Sequence, residues 1–138
     1  MFTPKKVKHR KWFKGRSLMR RFDTRGNTLA FGSFGLKSIS RAWVNAKQLE
    51  AARRAISNFI QREGKVWIRV FPDKPITQHA AEATMGGGKG DVKEYVVPVY
   101  PGRIIFEMDG VAEEIARKAL RLAGQKLPVR TKIISKND

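Results

Sequence analysis

Residues 45–71, NAKQLEAARRAISNFIQREGKVWIRVF, have first a helical and then a strand periodicity, and this combination indicates the fold. Asn45 and Gln48 match a capping box at the start of a helix, and Gly64 marks its end. From Lys65 onward, apolar and polar residues alternate, which is typical of a strand with one buried face. We therefore expect an amphipathic helix followed directly by a strand.

The helix and the strand each have one apolar face. In the strand, Val66, Ile68 and Val70 are predicted to point inward, and Trp67 is interpreted as a packing residue. The apolar face of the helix is predicted to comprise Leu49, Ala52, Ile56, Phe59 and Ile60.

Basic residues occupy other positions of this helix and its end, namely Lys47, Arg53, Arg54 and Arg62. Charges of this kind are by default a solvated helix face. In a chain with a net charge of +17, a surface that faces RNA is an equally good interpretation, so both remain open.

Toward the C-terminus, two strands are predicted at residues 92–100 and 103–108. Pro101 and Gly102 occupy the central positions of a type II turn, so these strands are predicted to form a hairpin. Pro98 has no N–H donor, which predicts an edge strand or a bulge at that position.

A second helix is predicted after Gly110, with Glu113 and Glu114 in its first turn and its end near Gly124. Its apolar stripe is predicted to comprise Val111, Ile115, Ala119 and Leu122. Residues 129–135 are predicted to form the last strand.

Toward the N-terminus, residues 28–44 predict two short extended pieces interrupted by Gly32 and Gly35, which we interpret as a bulge or tight bend. Another short extended piece is predicted near residues 76–79. The order of elements predicts an α+β fold, in which two helices pack on a mostly antiparallel sheet.

The first 25 residues, MFTPKKVKHRKWFKGRSLMRRFDTR, carry more than half of the net charge. Ten basic residues against Asp23 leave 10 − 1 = +9 of the total of +17. Such dense like charge is extended or mobile when free, and the phosphates of a polyanion relieve its repulsion. Trp12, Phe13 and Phe22 can stack on unpaired bases. We therefore predict an extended basic RNA-binding arm, residues 1–25, before a single α+β domain, residues 26–138.

Two other classes of segment share this basic composition. A basic amphipathic helix on an anionic membrane would use Trp12, Met19 and Phe22, but Gly15 and Ser17 weaken that helix. A targeting peptide would be rich in serine, whereas this arm has one serine and starts with lysines. Nucleic acid is therefore the favoured partner.

Composition argues against several other kinds of site. The chain has no cysteine, which excludes disulfides and thiolate metal sites. His9 and His79 lie far apart without a matching ligand cluster, so no metal and no other cofactor is predicted. No apolar run approaches the roughly 20 residues that cross a bilayer. The 12 acidic residues are scattered, which argues against an enzyme.

Residues 80–90, AAEATMGGGKG, form a glycine-rich loop. A nucleotide-binding P-loop would need glycine and a hydroxyl residue where Ala83 and Gly90 stand, so a nucleotide cradle is rejected. The bare backbone could instead approach RNA closely, with Lys89 adding one charge. A disordered loop tip is the alternative.

Six runs together resemble one family. They are FGSFGLKS (31–38), QLEAARRAI (48–56), GKVWIRVFPDKPIT (64–77), MGGGKG (85–90), PGRIIFEMDG (101–110) and KLPVRTK (126–132). In order and spacing they resemble the bacterial-type large-subunit ribosomal protein L-sixteen family (universal L-sixteen / L-ten-e). The resemblance implies an α/β hammerhead fold, binding of large-subunit rRNA near the central protuberance, and a role in late subunit assembly. It also implies contact with A-site tRNA, with P-site tRNA as a further contact.

Carried over by position, the resemblance and the charge pattern indicate two sets of RNA-facing residues. Those expected to bind rRNA are Lys5, Lys6, Lys8, Arg10, Lys11, Trp12, Lys14, Arg16, Arg20, Arg21, Arg25, Arg53 and Arg54. Those expected in a tRNA-facing loop are Met85, Gly86, Gly87, Gly88, Lys89 and Gly90. Thr84 and Gly87 stand where many members have arginine and lysine, so the loop has two fewer positive charges than the family pattern.

We therefore expect a structural constituent of the large ribosomal subunit with no catalysis of its own. Its expected partners are large-subunit rRNA, A-site and P-site tRNA, and neighbouring large-subunit proteins, without a membrane or a small-molecule substrate. The expected location is the cytoplasmic ribosome, with an organellar ribosome left open. The alternative function is a single-stranded nucleic-acid-binding module outside the ribosome.

Overall fold

The structure of the protein, a computed structural model, describes residues 2–12, 21–78 and 89–137. Within these ranges the chain forms strands and two helices in the predicted order. The elements are β1 Phe34–Ser38, β2 Ala42–Asn45, α1 Ala46–Phe59, β3 Lys65–Ile68, β4 Lys74–Gln78, β5 Asp91–Val99, β6 Ile104–Asp109, α2 Glu113–Gly124 and β7 Thr131–Ser135. The predicted α+β class is confirmed.

The strands form two antiparallel sheets, where the pattern predicted one. A four-stranded sheet has the order β3-β6-β1-β7, and a three-stranded sheet has the order β2-β5-β4. The two helices pack against each other, and α2 also packs on β1 and β7. Val44 and Val99 of the smaller sheet belong to the same buried cluster as Leu36 of the larger one. One hydrophobic core therefore connects both sheets and both helices.

The hairpin predicted between β5 and β6 is wrong, although its turn is present. Gly102 has a φ of +100°, and the Arg103 N–H donates to the Tyr100 carbonyl at 3.2 Å. However, β5 pairs with β2 and β4, whereas β6 pairs with β1 and β3. The end of β1 takes the place of the expected partner, because Ser38 bonds the backbone of Gly102 and Arg103 at 2.8 Å each. A turn signal predicts a local reversal of the chain and does not select the strand that pairs with it.

Neither alternative predicted at Pro98, an edge strand or a bulge, is found, because β5 is the central strand of its sheet and its pairing with β2 is regular at Pro98. β4 pairs with β5 only between Asp91 and Val96. At Pro98 the strand has β2 alone beside it, with Trp43 opposite. The proline thus lies at a position with a neighbour on one side only, which is where a residue without an N–H is tolerated.

Helix α1 begins as predicted. The Asn45 side chain accepts from the Gln48 N–H, and the Gln48 side chain accepts from the Asn45 N–H, both at 2.9 Å. The predicted apolar residues that are buried are Leu49, Ala52, Ile56 and Ile60. Phe59 is exposed, contrary to the prediction, because it lies at the margin of this stripe and borders a surface groove with Leu122.

The predicted apolar stripe of α2 is confirmed at Ala119 and at Val111, which precedes the helix and packs against the core, but it is wrong at Ile115 and Leu122. The buried residues of the helix are Ala116, Ala119, Leu120 and Ala123, whereas Ile115 and Leu122 are exposed. The buried face is rotated by about a quarter turn from the predicted one. Large apolar residues suggested one face, but close packing of α2 on α1 and β1 selects the face with small alanines.

The strand after α1 packs on both of its faces. Val66 and Ile68 are half-buried against the core, and Val70 beyond the strand is buried. Trp67 is a packing residue, as predicted, but it lies on the outer face of the four-stranded sheet. Its ring stacks on Phe31 with a centroid distance of 6.0 Å.

Gly32 and Gly35 allow close packing. Of the two alternatives predicted for them, the bulge is not found at either glycine, whereas the chain bends at residues 30, 31 and 33 around Gly32. A Cβ atom on Gly32 would lie 2.6 Å from the Met108 carbonyl oxygen. A Cβ atom on Gly35 would likewise collide with the side chain of Leu29, in the segment before β1. The irregularity of the β1–β6 ladder lies between Leu36 and Lys37 instead.

A buried ion pair holds the segment before β1 on the outer face of the four-stranded sheet. Arg69 donates to the carboxylate of Glu107, which is fully buried. The same carboxylate accepts the backbone N–H groups of Ala30, Phe31 and Gly32 at 2.9, 2.9 and 3.0 Å. Burial raises the pKa of Glu107, but these hydrogen bonds outweigh burial and hold the pKa below its usual value. The pair therefore fixes where the arm joins the folded domain.

Candidate nucleic-acid interface

The described part of the arm exposes several cations that no carboxylate holds. Lys5, Lys6, Lys8 and Arg10 are all exposed, and among the described residues none of them forms an ion pair. Their like charges are therefore balanced only by solvent ions. Phosphates that replace those ions release them to the solvent, which favours binding of a polyanion.

The start and the middle of the arm contact the folded domain. Phe2 packs edge-on against Phe71, with ring centroids 6.4 Å apart. Lys11 Nζ donates to the Lys89 carbonyl at 3.2 Å, and Lys89 Nζ donates in return to the carbonyl of Trp12. The structure thus brings together the arm and the end of the glycine-rich loop, two predicted sites that are far apart in the sequence.

The end of the arm is attached at the turn between β5 and β6. The Asp23 N–H donates to the Pro101 carbonyl at 3.1 Å, and Arg103 Nη1 donates to the Arg25 carbonyl at 3.2 Å. Burial raises the pKa of the Asp23 carboxyl. Arg103 was not among the predicted site residues, and its role depends on contacts that no local pattern encodes. The arm is therefore held on the domain, whereas its charge alone predicts a mobile segment.

Two aromatic rings of the arm remain available for stacking. Trp12 donates its Nε1–H to the His9 carbonyl at 3.1 Å, which leaves the ring itself 38% exposed. Phe22 is 69% exposed. Flat rings beside exposed cations are suited to unpaired bases of RNA.

The two arginines predicted on α1 are partly occupied by a carboxylate. Glu50 binds Arg53 at 2.5 Å and Arg54 at 3.1 Å. The hydrogen bond from Arg53 is the main cause that lowers the pKa of Glu50 to about 2, with burial opposing it and Arg54 contributing. Side-chain exposure is 39% for Arg53 and 71% for Arg54. This group therefore presents one net positive charge, and Arg54 is its more accessible member.

Other predicted site residues lie outside the described residues. In the arm these are Phe13, Lys14, Arg16 and Arg20, and in the loop they are Thr84, Met85, Gly86, Gly87 and Gly88. Of the predicted loop, the structure describes Lys89, which is exposed, and Gly90, which is half-buried.

Across residues 2–12, 21–78 and 89–137, no three His, Asp or Glu side chains are grouped as metal ligands. In the same ranges, neither helix has the length and apolar character of a membrane span. His79 lies outside these ranges.

Comparison with known proteins identifies the family of the chain. Residues 4–134 match the family model described as ribosomal protein L16p/L10e. Proteins of Parabacteroides distasonis and Porphyromonas gingivalis, both named large ribosomal subunit protein uL16, are each 54% identical over 138 residues, which is 100% of this chain and 94% of theirs. A protein of the same name from Azobacteroides pseudotrichonymphae is 54% identical, with 95% of its length covered. The chain belongs to the ribosomal protein L16p/L10e family.

Proposed function

We propose that this chain is a structural constituent of the large ribosomal subunit, binds large-subunit rRNA through its arm and contacts tRNA through its glycine-rich loop. The match of residues 4–134 to the family, with relatives named for the large ribosomal subunit, carries the proposal. Those relatives are bacterial, which supports a ribosome of the bacterial cytoplasm. The proposed role is positional and includes no catalysis.

In the proposed interface, the arm of residues 1–25 lies along rRNA near the central protuberance. Each arm cation that neutralises a phosphate releases condensed counterions, so affinity depends steeply on salt. The contacts of Phe2, Lys11 and Asp23 with the domain support this role. An arm that is already partly ordered loses less conformational entropy when it binds.

The loop of residues 85–90 is the proposed contact with A-site tRNA, with P-site tRNA as a second contact. Lys89 supports this assignment, because it bonds Lys11 and Trp12 of the arm and so lies beside the proposed rRNA surface. Thr84 and Gly87 lack the positive charges of the family pattern. The loop is therefore proposed to act through close approach of its glycine backbone more than through phosphate neutralisation.

Association with the ribosome tests the main proposal. Large subunits purified from the source cells and washed at high salt should retain the protein at one copy per subunit, measured by quantitative mass spectrometry. A non-ribosomal single-stranded nucleic-acid-binding module would instead partition onto other RNA. Absence from washed large subunits would reject the proposal and favour that alternative.

Deletion of Gly86–Gly88 tests the loop. The variant should enter large subunits normally and slow A-site tRNA binding, because the three deleted glycines carry no charge and all cations of the arm are kept. The matched control is a chain with Lys5, Lys6 and Lys8 changed to Gln, which should reduce incorporation first. The loop assignment would be rejected if the deletion lowered incorporation into subunits and left tRNA binding per incorporated copy unchanged.

A further inference from the structure

We propose that the RNA-binding surface continues from the arm across the outer face of the four-stranded sheet, where Lys37 on β1 and Lys132 on β7 bind consecutive phosphates of an RNA backbone. The inference rests on the proposed function, since it extends the same rRNA contact. It concerns two residues of the folded domain that are far from each other in sequence and that no local pattern connects.

The register of the sheet places these two lysines directly opposite each other. Lys37 pairs with Lys132 across the antiparallel β1–β7 ladder. Directly opposite residues have Cβ atoms about 5 Å apart, and like charges in such a pair destabilise the sheet. Among the described residues, neither lysine forms an ion pair. The free protein therefore keeps a repulsive pair that a bound anion would relieve.

Both lysines lie on the solvent side of the sheet. Their sequence neighbours Leu36 and Ile133 are opposite each other in the same ladder and belong to the hydrophobic core or pack against it. Because side chains alternate along a strand, Lys37 and Lys132 point away from the helices. This face is the one on which the segment before β1 lies.

Another lysine of the same sheet faces an acidic residue instead of a second lysine. Lys65 on β3 lies opposite Asp109 on β6, which is a complementary pair. The sheet therefore has a neutral edge at β3 and a cationic edge at β7. The chain from residue 126 to residue 137 adds to this contrast, because it contains Lys126, Arg130, Lys132 and Lys136 and no acidic residue.

The lysine pair is continuous with the end of the arm. Lys37 lies opposite Ile104 across the β1–β6 ladder, and the Ile104 N–H donates to the Gly26 carbonyl at 2.8 Å. A row therefore runs from Gly26 across β6 and β1 to β7. Its members are about 5 Å apart, so the row is about 15 Å long. Arg25 is exposed at the arm end of this row. Arg25 thus lies at one end of the row and the lysine pair at the other, so that one RNA strand held by the arm can reach both.

Protection of an open sheet edge is a different reason for a lysine on β7, because edge lysines prevent pairing with other strands. That reason accounts for Lys132, which lies on the edge strand. It does not account for Lys37, since β1 lies between β6 and β7. A repulsive pair that includes an inner strand is better explained by a ligand, and charge complementarity makes that ligand a phosphate backbone.

The test compares K37Q/K132Q with the matched control K65Q/K118Q in the full-length chain, with purified large-subunit rRNA as the probe. Both variants remove two exposed or half-exposed lysines. For K37Q/K132Q, the slope of log affinity against log salt should become shallower by about 1.4 to 1.8, since each phosphate contact contributes 0.7 to 0.9. Its Tm without RNA should rise by a few degrees, because the repulsive pair is gone. In the control K65Q/K118Q, the slope should not become shallower and the Tm should not rise.

Three outcomes would overturn the inference. They are an unchanged slope for K37Q/K132Q, an equal change in the control, and a loss of subunit incorporation without any change in the rRNA slope, which would indicate a protein partner. In each case the unaltered chain still binds rRNA, so the proposed function survives. Failure of the unaltered chain to bind large-subunit rRNA would reject the proposed function itself.

Discussion

The arm and helix α1 both carry clustered basic residues, but their charges are available to different degrees. Lys5, Lys6 and Lys8 of the arm are exposed and have no ion pair among the described residues. On α1, Arg53 and Arg54 share the carboxylate of Glu50. Counting basic residues therefore overestimates the cationic surface of the folded domain and estimates that of the arm more closely.

In the folded domain, one basic side chain is paired with a buried carboxylate. Arg69 is bound to the buried carboxylate of Glu107, and that carboxylate also holds the backbone of residues 30–32. This arginine stabilises the fold, and its charge is neutralised by Glu107. The availability of the cations thus decreases from the arm, through Arg53 and Arg54 on α1, to Arg69, and it can be tested at each of these positions.

The largest effect is expected for the arm. Changing Lys5, Lys6, Lys8, Arg10 and Lys11 together to Gln should make the slope of log affinity for rRNA against log salt shallower by about 3.5 to 4.5. Titrations of rRNA at several KCl concentrations measure the slope. The free energy of unfolding should change little, because most of these side chains are exposed. An unchanged slope would show that the arm is not the main RNA contact.

The next effect concerns Glu107, whose removal leaves Arg69 without its partner in a buried site. Glu107→Ala should lower the free energy of unfolding by about 3 to 5 kcal/mol, measured by urea denaturation. Glu113→Ala is the matched control, because Glu113 pairs with Arg117 on an exposed helix face, and it should cost less than about 0.5 kcal/mol. Similar costs for both variants would contradict the structural role of the buried pair.

The same carboxyl predicts a pH dependence of stability. The folded protein has a lowered pKa at Glu107, so the stabilisation is fully present above the ordinary value of 4.5 and is lost as pH falls through the folded pKa. Urea denaturation between neutral and acid pH should show this loss in the unaltered chain and a weaker loss in Glu107→Gln. Parallel curves for the two proteins would contradict it.

A smaller effect is expected on α1. Glu50→Gln removes the carboxylate that holds Arg53 and Arg54, so the helix gains one net positive charge. If this face contacts rRNA, the salt slope should steepen by up to about 1. Glu114→Gln adds the same charge on α2 and serves as the control. An unchanged slope for Glu50→Gln would favour the solvated-face interpretation of these arginines.

The smallest effect is the contribution of Glu50 to stability. Its pKa is lowered from 4.5 to about 2, so its contribution is present above pH 4.5 and disappears as pH falls toward 2. Because the arginines are partly exposed and the pairs lie within one helix, the contribution should stay below about 1 kcal/mol. Subtracting the Glu50→Gln denaturation curve from that of the unaltered chain at each pH measures it. A difference that persists at pH 2 would contradict the assignment.

Elements defined by neighbouring residues could be predicted from the sequence. The capping box of Asn45 and Gln48, the strand that begins at Lys65 and the turn at Gly102 each depend on contacts within a few residues. The charge of the arm is likewise a property of composition. These predictions are confirmed because short-range sterics, hydrogen bonds and charge density act before distant parts of the chain meet.

Other features were decided only by the tertiary structure. β6 pairs with β1 and not with β5, and α2 buries alanines and not Ile115, because packing between distant elements outweighed local preference. The availability of each cation was decided in the same way, since Glu107 meets Arg69 and Lys37 meets Lys132 across long sequence separations. The sequence by itself determined how much positive charge the chain carries and where along the chain that charge is concentrated. Only the fold determined which charges remain for RNA, because pairing depends on distances that composition and spacing do not contain.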